Sequence, residues 1–180
     1  MMVHKGHLLF VLLLLPVFLM GEGRFKKKEF FSAALNETKT YFISYPDGYA
    51  ALDTAKKYPV IIFLHSASVN AESAVNQLEP WLDNPFTQLM FRNLYKVLFV
   101  VPDGSAPPFL GSFYTNSALY GNFEDYISID LMDEIRSRYN TYDVRGKWSI
   151  MGHSMGGYGC MKIALKNPGN FIGVASLSGP

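Results

Sequence analysis

Gly152-His153-Ser154-Met155-Gly156 sets a hydroxyl between glycines two residues to either side, in the pattern G-x-S-x-G. The spacing has a physical reason. A serine lifted out of a sharp strand-to-helix turn needs strained backbone angles, and side chains at the flanking positions would collide. The context fits. A short apolar run, 148–151, precedes the motif and a helical stretch, 154–166, follows it. Such a turn presents the hydroxyl for attack on an acyl carbon, and the free N–H groups of the helix start face the charge that develops there. Ser154 is therefore the candidate nucleophile and the Met155 amide a candidate oxyanion donor. The second donor is expected after the apolar strand 59–64, in Phe63-Leu64-His65-Ser66-Ala67, where the Ala67 amide is favoured.

Other residues of chemical interest read as structural. His65 is expected to brace its loop by hydrogen bonds. His153 is expected to pack in the elbow, since a neighbour on a tight turn points away from the serine hydroxyl. Asp103, in Pro102-Asp103-Gly104, reads as a turn former before it reads as a catalytic acid. Asp125, Asp130, Asp133 and Glu134 read as the solvated side and cap of one helix. Cys160, on a helix body, reads as a buried apolar residue. Met90, Met132, Met151 and Met161 read as core filler. There is no metal-ligand spacing, phosphate loop or dinucleotide fingerprint, so neither metal nor cofactor is expected.

These residues need a scaffold. Runs 29–34 and 41–45, about the polar Asn36-Glu37-Thr38, predict an antiparallel hairpin closed by Pro46-Asp47-Gly48. From there strands alternate with helices. Continuous apolar runs at 59–64, 97–101, 148–151 and 172–177 predict strands buried on both faces. Asn70 caps a helix carrying Val75, Leu78 and Leu82, which Pro80 is expected to break in two. The stretch 105–121, rich in glycine, proline and aromatics, reads as a functional surface loop. Asn122 is expected to cap a helix whose apolar face is Ile127, Leu131 and Ile135, and Asn167-Pro168-Gly169 stops the helix after the elbow. The expected class is α/β: a mostly parallel sheet with helices on both faces and antiparallel strands at one edge.

Composition sets the outer bounds. The chain has 180 residues, 49% of them hydrophobic, which suffices for one domain with a packed core. A net charge of +1 offers no electrostatic case for a nucleic-acid partner. Lys5, then an apolar run at 8–20 broken by Pro16, then Gly21 and Gly23, predict a secretory signal over residues 1–23 and a secreted or periplasmic protein. An uncleaved anchor is the alternative, but the run is short for a stable membrane span. Arg24, Lys26, Lys27 and Lys28 read as a solvated segment after that signal. One cysteine permits no internal disulfide, and Asn36-Glu37-Thr38 matches a glycosylation acceptor pattern.

KKYPVIIFLH (56–65), VVPDG (100–104), SFYTNS (112–117) and GHSMGGYGCMKIALKNPGNFIGVASLSG (152–179) together resemble the esterase family of α/β-hydrolases. That family includes esterase D (S-formylglutathione hydrolase), feruloyl and acetylxylan esterases, tributyrin-type carboxylesterases and mycolyltransferases. The resemblance implies an α/β-hydrolase fold, Ser154 as nucleophile and Met155 as oxyanion donor. Ser66 departs from the glycine that many members carry after the histidine. The family's acid and histidine follow the serine, whereas His4, His7, His65 and His153 all precede it here. The expectation is that residues 24–180 are the N-terminal portion of a single hydrolase domain whose C-terminal part is missing, and that this chain is catalytically incomplete. Three functions stay open: a serine hydrolase of small-molecule or carbohydrate esters acting through an acyl-enzyme, an acyltransferase on the same scaffold, and a non-catalytic relative. The acyl and alcohol parts of the substrate are not legible.

Overall fold

The computed structural model describes residues 24–143 and 146–180. The expected signal at 1–23 lies outside the described residues. Two long strands open the described chain, β1 (Phe25–Ser32) and β2 (Glu37–Ser44), paired antiparallel. Then come β3 (Val60–Leu64), α1 (Ala71–Leu82), and a short α2 (Pro85–Thr87) that runs on as a π-helical segment, Gln88–Leu94. β4 (Leu98–Pro102) leads into the long loop, which holds a small pair, β5 (Asn116–Ser117) and β6 (Gly121–Asn122). A second helical stretch follows as α3 (Phe123–Asp125), a π-helical Tyr126–Leu131 and α4 (Met132–Arg138). β7 (Trp148–His153), α5 (Met155–Lys166) and β8 (Gly173–Leu177) complete it.

Six strands form one sheet in the order β1-β2-β4-β3-β7-β8. β4, β3, β7 and β8 are parallel, and the hairpin joins antiparallel through β2 and β4. Each face carries its own core. On one, Ala71, Ala74, Val75 and Leu82 of α1 pack on Phe42, Phe63, Phe99 and Val101. On the other, Ile127, Leu131, Ile135, Cys160 and Ile163 pack on Ile62, Leu64, Val100 and Ile150. Ile127, Leu131 and Ile135 are fully buried, as their spacing predicts, each contributing about 1.5–3 kcal/mol.

Several local expectations need correction. β1 starts at Phe25 and not at residue 29, so the solvated Lys27 and Lys28 lie within a strand. β1 is a sheet edge, and exposed lysines there discourage pairing with another chain. The hairpin turn falls before Glu37, with Asn36 exposed at φ 53°, and Glu37 and Thr38 already pair in β2. Pro80 does not break α1. It sits on the exposed side of the last turn, while Ala74, Val75 and Leu82 hold the helix to the sheet. Asn70 does cap α1, accepting from Ser73 N at 2.9 Å. Asn122 makes no side-chain cap; Asn116 Oδ1, from the loop, accepts from Glu124 N at 2.9 Å and Asp125 N at 3.1 Å.

Two of the four acids assigned to solvent instead fasten the hairpin. Asp130 Oδ2 accepts from Ser32 Oγ at 2.6 Å and Ala34 N at 2.8 Å. Glu134 Oε1 accepts from Tyr41 Oη at 3.2 Å. Among the described residues no helix is long and apolar enough to cross a membrane.

Asp130→Ala strips two charge-assisted hydrogen bonds from the hairpin, so it is expected to cost about 2–3 kcal/mol in urea unfolding. Asp133→Ala, which breaks only the exposed pair with Arg136, is expected to stay within about 0.5 kcal/mol. Equal effects of the two would remove Asp130's special role.

Candidate active site

β4 and β7 lie on opposite sides of β3, so the chain reverses direction across the sheet there. In parallel sheets such a switch point opens a crevice at the carboxyl ends of the strands. Residues 65–67 leave β3 at this end, Asp103 leaves β4 and Ser154 leaves β7.

Ser154 has φ 53° and ψ −117°, outside the regions an L-residue ordinarily occupies. Such strain costs about 1–3 kcal/mol and persists only where the surroundings impose it. Here they do. Ser154 N–H donates to Leu177 O at 2.8 Å, and Ser154 O accepts from Tyr158 N at 3.0 Å. A Cβ on Gly152 would lie 2.3 Å from Gly156 O, and one on Gly156 would lie 1.9 Å from Leu64 O. The two motif glycines thus let α5 press its first turn onto the end of β3. Ser154 is partly exposed, and among the described residues nothing hydrogen-bonds to its Oγ.

Met155 is buried at the first position of α5, where helix geometry leaves its N–H without an intrahelical acceptor. Ala67 is half-buried on the loop after β3, and among the described residues its N–H finds no acceptor. Gly111 brings the two together: a Cβ there would meet Met155 Sδ at 2.3 Å and Ala67 Cα at 3.5 Å. Ser68 N–H donates to Leu110 O at 2.6 Å, fastening the long loop over the same spot. Ser154, Met155 and Ala67 therefore share one neighbourhood, and the positive end of the α5 dipole faces it.

His65 is buried and braced on three sides. Its Nδ1–H donates to Ser66 O at 2.8 Å, its Nε2 accepts from Gly104 N–H at 2.9 Å, and its carbonyl accepts from Tyr114 Oη at 3.2 Å. Both ring nitrogens have backbone partners, which holds the ring in the bracing role. His153 does not pack in the elbow. It is exposed, with Nδ1 2.7 Å from Ser66 Oγ, because the serine that replaces glycine supplies a hydroxyl. It borders a recess of about 360 Å³ with Phe63, Leu78, Trp81 and Met151. A larger recess, about 840 Å³ around Tyr58 and Tyr142, lies at the amino ends of the strands, away from Ser154.

Asp103 does make the turn, accepting from Ser105 N at 3.1 Å and Ser105 Oγ at 2.8 Å. Burial alone would raise its carboxyl. The neighbouring His65, the Lys39 ammonium 4.0 Å away and Ser105 outweigh burial and hold it at about 2. Cys160 is buried as expected, and burial pushes its thiol up to about 11. Among the described residues no cluster of His, Cys, Asp or Glu could hold a metal ion.

The sequence reading overlooked the parts that hold the long loop. Tyr114 is fully buried against Gly104 and Gly159, where a Cβ would lie 2.3 Å and 2.7 Å from its ring. Lys162 Nζ donates to Tyr114 O at 2.8 Å and Thr115 Oγ1 at 2.7 Å. Glu124 pairs with Lys162 at 3.1 Å and with Lys166 at 3.0 Å. The SFYTNS stretch and the glycines at 104 and 159 were visible in the sequence, but nothing local ties either glycine to Tyr114.

Comparison with known proteins follows the same lines. A family model described as "Putative esterase" matches residues 32–180. Esterase MT1326 and esterase Rv1288, from two strains of Mycobacterium tuberculosis, are each 28% identical over 142 residues. The match takes in 75% of this chain and 28% of each relative, so the chain spans little more than a quarter of their length. Among solved structures, a ferulic acid esterase superposes with a TM-score of 0.72 at 20% identity, covering 86% of this chain and 60% of that one. S-formylglutathione hydrolase from Agrobacterium tumefaciens gives 0.66 at 22%, covering 86% and 58%. FphF, a fluorophosphonate-binding serine hydrolase of Staphylococcus aureus, gives 0.67 at 22%, covering 88% and 58%. The shared architecture is the α/β-hydrolase fold.

Two substitutions probe this geometry. Gly156→Ala drives a methyl into the Leu64 carbonyl and is expected to cost at least about 3 kcal/mol or to prevent folding, measured by urea denaturation or soluble yield. A stable, unaltered variant would mean the contact is not close. Asp103 has a depressed folded pKa, so its contribution is complete above the unfolded value near 4 and is lost as pH falls towards 2. The shift from 3.8 to about 2 corresponds to about 2 kcal/mol. Asp103→Asn is therefore expected to flatten the fall in unfolding free energy between pH 5 and pH 2, and an unchanged slope would refute the linkage.

Proposed function

The chain belongs to the Putative esterase family, and from that premise we propose that it is a serine carboxylic-ester hydrolase working through an acyl-enzyme on Ser154. The observation that carries this reading is the strained Ser154 at φ 53°, at the start of α5 and beside the loop that carries Ala67. In the proposed reaction Ser154 Oγ attacks the acyl carbon and gives up its proton to solvent, which returns one to the departing alcohol oxygen. The carbonyl oxygen becomes an oxyanion that accepts hydrogen bonds from Met155 N–H and Ala67 N–H. Collapse breaks the ester C–O bond, the alcohol leaves with a proton, and the acyl group remains on Ser154. Water then attacks the acyl-enzyme, releasing the acid and restoring the serine. Each such amide is worth about 100- to 1000-fold in rate. The hydrolase names of the relatives and the fluorophosphonate binding named for FphF support the same class.

The proton acceptor is a separate matter. Among the described residues no imidazole hydrogen-bonds to Ser154, and the rings of His65 and His153 are engaged elsewhere. A serine without a base is a weak nucleophile at neutral pH. Turnover of p-nitrophenyl acetate by this 180-residue chain is accordingly proposed to be slow.

A fluorophosphonate probe followed by peptide mass spectrometry tests the reading. Slow adduct formation is expected on Ser154, in step with the slow turnover, and is expected to vanish in Ser154→Ala. Labelling that survives that substitution, or none on Ser154 in the unaltered chain, would refute it.

A further inference from the structure

The recess at the amino ends of the strands is rimmed by positive charge. Lys56, Lys57, Lys96 and Lys147 all line it, just ahead of β3, β4 and β7, and all four are exposed. The whole chain carries only +1, so this is a local excess and not a reflection of composition. Little on the protein offsets it. Lys56 pairs with Asp53 at 3.2 Å, an exposed pair that water screens. Asp47 is taken by Arg92, and Asp143 has a partner of its own. Among the described residues no carboxylate forms an ion pair with Lys57, Lys96 or Lys147. Lys147 lies instead 5.7 Å from the Tyr142 ring centroid.

The same end displays apolar side chains on segments that are held firmly. Leu52 is 98% exposed, four residues before Lys56, and the exposed Leu94 and Tyr95 directly precede Lys96. The loop bearing Leu52 is pinned on both sides of it. Asn140 Nδ2 donates to Ala50 O at 2.9 Å and to Asp53 O at 3.1 Å, and Ala50 N–H donates to Tyr58 Oη at 3.2 Å. Arg92 Nε donates to Asp47 Oδ1 at 3.0 Å, which ties the segment bearing Leu94 and Tyr95 to the turn before that loop. That segment ends with Tyr95 N–H on Met90 O and Val97 N–H on Phe91 O, and Lys96 between them has φ 49°. Glycine commonly closes a helix in this left-handed conformation. Here a lysine does so, which sets an ammonium on the rim at a backbone cost. Hydrogen bonds thus hold apolar tips out in water beside unpaired cations, a combination that marks an interaction surface.

We propose that this end of the molecule docks on a lipid bilayer with an anionic surface. The lysines meet the headgroups, while Leu52, Leu94 and Tyr95 enter the interface. A bilayer fits better than an acidic protein segment. A segment seated in the recess would pair the lysines but leave Leu52 in water. A bilayer takes both, because it is charged at the headgroup level and apolar just beneath, and tyrosine favours that boundary. Each lysine near such a surface is worth about fivefold in affinity. The recess and the crevice at Ser154 lie at opposite ends of the parallel strands, so docking leaves the crevice open to solvent. The docking face rests on no role for Ser154.

Cosedimentation of the full chain with vesicles tests the proposal. Phosphatidylcholine vesicles with about 30% phosphatidylserine are expected to bind more tightly than phosphatidylcholine alone, and added salt is expected to remove the difference. Lys57→Glu with Lys96→Glu is expected to lower affinity for the anionic vesicles at least about tenfold and to leave binding to phosphatidylcholine unchanged. Lys27→Glu with Lys28→Glu, an equal charge change on the exposed β1 edge, is expected to lower it less than about threefold. A second readout locates the face. Against the unaltered chain, the added fluorescence of Leu52→Trp is expected to be quenched by brominated acyl chains in the anionic vesicles. That of Leu119→Trp, exposed on the long loop at the other end, is expected to be unaffected. The apolar run at 8–20 is common to both variants and does not produce that contrast. Equal losses from the two lysine pairs, quenching at 119 as strong as at 52, no preference for anionic vesicles, or binding of polyglutamate in place of vesicles would overturn the docking face.

Discussion

The contact of α5 with the end of β3 governs this end of the molecule. A methyl group on Gly156 would overlap Leu64 O, and one on Gly152 would overlap Gly156 O. Only hydrogen fits at these positions, so the helix start and the strand end approach as backbone against backbone. That approach leaves Ser154 no ordinary conformation, because its N–H is drawn to Leu177 O while its carbonyl starts the helix. It also sets how far the Met155 amide stands from the loop after β3. A looser contact would relax the serine.

The rest of the fold holds that contact in place. Helices on both faces bury separate cores, so the central strands cannot shift without opening one of them. At one sheet edge the hairpin is fixed by buried Phe30, Tyr41, Phe42 and Ile43 and by polar bonds to the helix behind it, through Asp130 and Glu134. Carboxylates in those places satisfy a strand end and a turn whose groups would otherwise lose water without replacement. The long loop is fastened in the same manner. Tyr114 fills a space that two distant glycines leave open, and the Lys162–Glu124 pair supplies the charge at the loop's base. The loop carrying Gly111 and Phe113 is therefore positioned by the core and by α5, although it runs over the surface.

Much of this could be read from the chain itself. The apolar runs at 59–64 and 148–151, the helix after Ser154 and the elbow between them are local patterns. Their physics depends on residues a few positions apart, and so sequence alone determined the α/β class and the candidate nucleophile. The apolar face of Ile127, Leu131 and Ile135 was legible for the same reason. What only the tertiary structure decided involves partners far apart in the chain. Asp130 bonds to Ser32, 98 residues away, Ser66 to His153, 87 away, and Lys162 to the carbonyl of Tyr114, 48 away. An aspartate on a helix has the same local pattern whether it faces water or a strand end, and a proline stops a helix only if packing does not outweigh it. The sheet order sets those alternatives by bringing separate segments within hydrogen-bonding range, and no spacing within one segment encodes that distance.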